Sequence, residues 1–202
     1  MRSTRFLLTI AGLALFGGTA VKAQKKTITV GPRVDLNVAR VVGDNQDDAT
    51  SRTGMRIGAW ASMDLNARFS IQPEFVLSGK GSKWPDDDAS IKISYLQIPV
   101  LAQYRITTGK TVNPYLLAGP ALSFKAGCNL QVEGSDYACN EETTAVSSTD
   151  FGMILGAGIH VGRAQVSLRY DLGLANINGD GDAVVKNRAF SVAVGYGFRI
   201  GH

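Results

Sequence analysis

Stretches of about ten residues in which every second side chain is apolar constrain this chain more than any other feature. In QVSLRYDLGL (165–174), Val166, Leu168, Tyr170, Leu172 and Leu174 alternate with Gln165, Ser167, Arg169, Asp171 and Gly173. A period of two gives a β-strand one greasy face and one polar face. The pattern recurs over 33–41, 54–64, 68–77, 92–105, 114–125, 151–161, 164–175 and 189–200. These lengths suit strands that cross a bilayer at a tilt. No 3.6-residue periodicity follows residue 23, and 23 glycines against 6 prolines suit strands and turns.

The first residues form a separate unit. Arg2 and Arg5 precede and flank the apolar run FLLTIAGLALF (6–16), and VKAQ follows with Val21 and Ala23 before a cut. A charged start, a short apolar run and a small-residue site predict a signal peptide over 1–23. The run is too short to span as a helix, which needs roughly 20 residues. Residues 24–32 are expected to be a periplasmic N-terminal segment and 33–202 the barrel domain. Loss of Arg2, Arg5 and Lys22 lowers the basic count from 21 to 18, against 17 acids. The basic charge is thus a property of the targeting segment, and no basic stripe with interleaved aromatics suggests nucleic-acid binding.

Alternation alone does not say which face is inside. A soluble lipocalin-like ligand-binding barrel turns its greasy face inward; a membrane barrel turns it outward. The polar faces here carry small residues, which suit the narrow lumen of eight strands. The apolar faces carry Phe69, Tyr104, Phe151, Phe190 and Phe198 near strand ends, like interfacial girdles. Connections at 42–53, 78–91, 126–150 and 176–188 are predicted to be long, and those between them short. Long loops at one end and short turns at the other belong to outer-membrane barrels. The reading is all-β: an eight-stranded antiparallel up-and-down transmembrane β-barrel in the outer membrane of a Gram-negative bacterium, both termini periplasmic. The soluble barrel stands as the weaker alternative.

Thirteen of the 17 acids are expected in or beside the long loops: Asp44, Asp47, Asp48, Asp86, Asp87, Asp88, Glu133, Asp136, Glu141, Glu142, Asp150, Asp180 and Asp182. Solvated loops are polar as a rule, and bridging of the acids to lipopolysaccharide by divalent cations is a secondary reading. NGDGD (178–182) lacks the spacing and closing Glu of an EF-hand and is taken as a turn, not a metal site. Cys128 and Cys139 are close in sequence in an exported chain, which predicts a disulfide closing a loop at the outer face.

The charges left on strands are expected to face the lumen. A buried charge needs a partner. Asp35, Glu74 and Asp171 are therefore expected to pair with Arg33, Arg169 and Arg199 in a network that plugs the lower half of the barrel. Separate hydration of each charge in luminal water is the alternative.

Six segments, in order, resemble the PorT-like family of outer-membrane β-barrel proteins: GMRIGAWASMDLNARFSIQPEFVLSGKGSK (54–83), SYLQIPVLAQYRI (94–106), NPYLLAGPALSF (113–124), DFGMILGAGIHVG (150–162), SLRYDLGLANI (167–177) and KNRAFSVAVGYGFRI (186–200). The resemblance implies outer-membrane location, insertion by the barrel-assembly machinery, contact with outer-membrane lipid and lipopolysaccharide, and a possible association with secretion-system components. Such barrels commonly end in an aromatic residue, whereas this chain continues from Phe198 to His202. The expected function is non-enzymatic: a structural, surface-interaction or accessory secretion role with a plugged polar lumen. A narrow pore for small solutes is the alternative. A hydrolase needs a base beside a nucleophile or a carboxylate pair. The two histidines, His160 and His202, are both expected at the periplasmic end, with no such constellation in sequence around them. No cofactor is expected.

Overall fold

The computed structural model describes residues 28–44, 48–84, 89–106, 111–132, 135–138, 147–177 and 183–200. The expected signal peptide, the NGDGD segment, Cys139 and His202 lie outside the described residues. The strands are β1 (Ile28–Gly43), β2 (Thr50–Asp64), β3 (Phe69–Trp84), β4 (Ala89–Arg105), β5 (Val112–Val132), β6 (Ser135–Ala138), β7 (Thr149–Val161), β8 (Ala164–Gly173), β9 (Val185–Tyr196) and β10 (Phe198–Ile200). Every neighbouring pair is antiparallel. β1 bonds to β2 on one side and to β9 and β10 on the other, so the sheet closes on itself. β9 and β10 are one stave interrupted at Gly197, and β6 folds back on the outer end of β5, leaving eight staves. Closure leaves no open sheet edge along the barrel, which a hydrocarbon surround requires.

Alternation sets the faces. Val166, Leu168 and Tyr170 on β8 are exposed, while Gln165, Ser167, Arg169 and Asp171 between them are buried. Val34, Leu36 and Val38 on β1, Phe75 and Leu77 on β3, and Phe190, Val192 and Val194 on β9 repeat the pattern outward. Ring pairs Phe69–Tyr104 (5.0 Å) and Tyr196–Phe198 (5.3 Å) sit at the periplasmic end of this apolar band, where amphipathic rings are favoured. The tight β7–β8 turn needs a left-handed residue, and Gly162 supplies it with φ 60°.

Three expectations are corrected. The long outer connections shrink because the strands run on past the apolar alternation. β3 and β4 stay paired to Trp84–Ala89, and β4 and β5 to Ala89–Val132. Gly, Ser and Lys in SGKGSKW suggest a loop, yet it is the backbone that makes the ladder, and it pairs regardless of polar side chains. At the other end, residues 28–32, expected in a periplasmic segment, are part of β1: Ile28, Thr29 and Val30 pair with both β2 and β10. Finally, Asp150 is no loop acid. It lies on β7 with its side chain in the lumen, 2% exposed.

The lumen is packed in layers. Leu101, Tyr115, Leu117, Ala121 and Ile154 form one apolar cluster on the inner wall of β4, β5 and β7. Nearer the outer mouth, Val41, Ala49 and Ile177 pack with Trp84 and Val185, and Ile91, Ile93 and Tyr95 pack with Trp84, Cys128 and Leu130. Charged and amide side chains occupy the space between.

Candidate functional site

The luminal charges are brought together by register. Asp35 on β1 is the direct cross-strand partner of Arg56 on β2. Arg33 lies two residues from Asp35 on the same face, and its Nε donates to Asp35 Oδ1 at 3.0 Å. The other end of the Arg33 guanidinium donates to Glu74 on β3 and to the second oxygen of Asp35. From the far wall, Arg169 Nη1 on β8 donates to both Glu74 oxygens at 2.9 Å, and its Nε donates to Ser167 Oγ at 2.8 Å. Gln72 Nε2 is the third donor group on Glu74, at 2.8 Å. One carboxylate on β3 therefore holds two guanidinium groups, one from β1, two staves away, and one from β8, directly across the barrel.

A second centre lies beside it. Arg56 reaches Asp35 at 3.5 Å and Asp171 at 3.1 Å, and donates to the amide oxygen of Gln97. Gln97 Nε2 in turn donates to Asp171 Oδ2 at 3.4 Å, linking β4 to β8. Further toward the outer mouth, Lys80 Nζ pairs with Asp150 Oδ2 at 3.4 Å, and Asn187 donates to the same oxygen at 2.8 Å. The Lys80 ammonium also sits 5.3 Å from the Tyr95 ring centroid. Four cations (Arg33, Arg56, Lys80, Arg169) face four anions (Asp35, Glu74, Asp150, Asp171), all buried. Pairing at this balance is what makes such burial tolerable.

Glycine makes room for the crossing side chains. A Cβ on Gly156 would lie 3.2 Å from Arg169 Cγ and 3.1 Å from Leu117 Cδ1. Gly156, which looks like mere strand filler, thus leaves the path that Arg169 takes.

Of the residues expected in the network, Arg33, Asp35, Glu74, Arg169 and Asp171 meet in one cluster. Arg199 does not. It lies on β10 beyond the Gly197 interruption, exposed, at the rim of a cavity of about 280 Å³ at the periplasmic end. The register with β1 is unchanged across Gly197, so Arg199 pairs with Thr29, four residues nearer the mouth than Arg33, where water can solvate it. Arg56, Lys80, Asp150, Gln72 and Gln97 were missed. Arg56 does carry a legible signal: it is the inward residue opposite Asp35 once strands one and two pair as a hairpin. Lys80 and Asp150 carry none, because both stand in segments whose composition suggests loop.

His160 lines the periplasmic cavity with Gln103, Arg105 and Asp64. Its Nε2 is 3.2 Å from Gln103 Oε1, and its ring stacks on Tyr115 at 4.5 Å. Asp64 is engaged by Arg105 at 2.8 Å. Among the described residues, no group of three or more His, Cys, Asp or Glu is placed to hold a metal ion.

Residues 11–198 match the family described as outer membrane protein beta-barrel domain. No curated protein matches the chain. Among solved structures, neisserial surface protein A is 18% identical, with 85% of this chain and 97% of that chain covered and a TM-score of 0.50. Ail, the attachment invasion locus protein of Yersinia pestis, is 14% identical, with 84% and 98% covered and a TM-score of 0.47. The outer membrane enzyme PagL is 15% identical, with 80% and 98% covered and a TM-score of 0.44. At such identities the likeness is one of fold.

Proposed function

This chain belongs to the outer membrane protein beta-barrel domain family, integral β-barrels of the Gram-negative outer membrane, and on that premise we propose that it is a non-enzymatic barrel with a plugged polar lumen. Its role on this reading is structural, surface-interacting or accessory to secretion, and its place within the family is among the PorT-like members, whose segments it resembles from 54 to 200. The observation that carries the plug is the pairing of Glu74 on β3 both with Arg33 on β1 and with Arg169, which reaches it from β8 across the barrel. A solute would have to break both of these buried ion pairs to pass, and an eight-stranded barrel has only side-chain-sized space to begin with. The non-enzymatic reading is supported by the surroundings of His160. Its ring contacts are an amide and a phenol, neither of which makes a hydrolytic pair with it.

The Cys128–Cys139 bridge belongs to the same proposal. Cys128 lies near the outer end of β5, opposite Ile93, where a bridge to a following segment would tie the outer loop to the wall. Planar-bilayer recording tests the plug. The purified barrel is expected to show no sustained conductance; regular steps at the parent's resting state would favour the narrow pore instead. Capture of the tagged barrel from its native envelope tests the role: co-purified secretion components would support the accessory reading, and isolation alone the structural one.

A further inference from the structure

The inward phase of the strands runs on past the luminal network to the periplasmic mouth. Asp64 on β2, Arg105 on β4, His160 on β7 and Arg199 on β10 continue the alternation that places Trp60, Gln103, Gly156 and Gly195 inside. Arg163 joins them from the tight β7–β8 turn, and together they line the periplasmic cavity of about 280 Å³. Its inner end is marked by the buried Gln103, whose Nε2 donates to Gln72 Oε1 at 3.5 Å, one bond short of Glu74. The cavity therefore ends where the luminal network begins. Charge is balanced in that network, four cations against four anions, and unbalanced here. Three guanidinium groups (Arg105, Arg163, Arg199) face one carboxylate, Asp64. That carboxylate is already engaged, accepting from Arg105 Nη2 at 2.8 Å. Among the described residues, neither Arg163 nor Arg199 is ion-paired. Two buried side-chain atoms on the lining residues lack a hydrogen-bond partner, Arg105 Nε and Trp60 Nε1, and both are donors. Trp60 Nε1 stands against Gly195 in the wall, which leaves the arginines as the groups that call for an acceptor.

We propose that this vestibule binds a small phosphate monoester of a sugar or polyol from the periplasm, with the phosphate among Arg105, Arg163 and Arg199 and the hydroxyls against Ser62, Gln103 and Asn113. The charge selects a dianion, since two guanidinium groups remain once Asp64 is paired, and a phosphate monoester is close to doubly charged at neutral pH. A guanidinium presents a planar fork of donors that matches phosphate oxygens. Three such forks from separate staves suit a tetrahedral group with an oxygen for each, better than a flat carboxylate. A concave site walled by protein concentrates the field of the cations. The neutral part of the lining is hydroxyl and amide, which answers hydroxyls and not an apolar tail. The volume falls at the small end of ligand pockets, which run from about 300 to 1,000 Å³, and so fits a monosaccharide phosphate before a nucleotide. The inference rests on the orientation of the barrel in the outer membrane and not on whether the lumen conducts.

The test is calorimetric titration of the full barrel, in an uncharged detergent, with glucose-6-phosphate as the probe. Saturable binding at one site per barrel is expected. Arg163→Ser/Arg199→Ser removes two exposed side chains and is expected to keep the compact unheated gel band. It is expected to bind the probe on the order of tenfold more weakly, from the loss of two charged donors at a solvated mouth. Lys83→Ser/Lys92→Ser takes the same charge from exposed positions at the outer end and is expected to bind like the parent. Equal affinity of the parent and the arginine variant would overturn the proposal, as would an equal loss in the lysine variant, which would reduce the effect to net charge. Succinate binding as tightly as the probe would overturn the phosphate class. Inorganic phosphate binding as tightly would leave an adventitious ion only, and glucose binding as tightly would remove the anion from the argument. None of these variants touches Glu74, Arg33 or Arg169, so failure here leaves the plugged-lumen reading standing or falling on its own conductance.

Discussion

Replacing Glu74 with Ala takes a carboxylate from two guanidinium groups at once. Arg33 keeps its bonds to Asp35, whereas Arg169 keeps only Ser167 Oγ. The lumen passes from four cations against four anions to four against three. Removing one partner of a buried pair costs about 3–5 kcal/mol, because the remaining charge stays desolvated. Most of that cost is assigned to Arg169, which has no second carboxylate within reach, and water admitted into the space left by the Glu74 carboxylate would return some of it. The control is Asp48→Ala at an exposed outer turn, where the change is expected to stay within about 0.5 kcal/mol. The assay is the temperature or urea concentration at which the unheated, fast-migrating band disappears. A second variant, Glu74→Ala/Arg169→Met, removes the stranded charge and is expected to recover a large share of the loss, the non-additivity that marks a direct interaction. Single-channel recording on Glu74→Ala is expected to show brief openings that the parent lacks. A Glu74→Ala barrel as stable and as closed as the parent would refute the bracing argument, and additive effects in the double variant would show that the two residues act separately.

Arg56→Met leaves Asp35 and Asp171 facing each other without their shared cation and is expected to cost about 3–5 kcal/mol in the same assay. Asp150→Asn keeps the bond from Asn187 in altered form but unpairs Lys80; the expected loss is about 1–3 kcal/mol, checked against Lys80→Met/Asp150→Asn, which should be milder than the single change. Gly81→Ala puts a Cβ 1.9 Å from the Ile91 carbonyl oxygen at φ 146°, so refolding yield should fall sharply, whereas Gly79→Ala should refold like the parent. Cys128→Ser should leave the barrel folded, since one short loop contributes about 3 kcal/mol at most. Mass spectrometry of unreduced peptides that found both thiols free in native envelopes would exclude the Cys128–Cys139 bridge.

Much of the fold was legible in the sequence because the sheet's two faces meet two solvents. Lipid tolerates no buried polar group and the lumen has little space, so Val166, Leu168 and Tyr170 must alternate with Ser167, Arg169 and Asp171 wherever the strand crosses the membrane. That local rule gave the strands their phase and placed Arg33, Asp35, Glu74 and Asp171 inside. It fails where the strands leave the bilayer. Above the rim both faces meet water, alternation is no longer enforced, and SGKGSKW continues β3 with no periodic trace; Lys80 and Asp150 were hidden for this reason. Partner choice was also beyond local reading. Which cation meets Glu74 depends on how far each stave is offset from the next around a closed ring, and the same offset sets Arg199 opposite Thr29 at the mouth, away from Arg33. Within the membrane-crossing part of the strands, sequence alone determined which side of the wall a residue occupies; only closure of the sheet decided which residues face one another across the lumen.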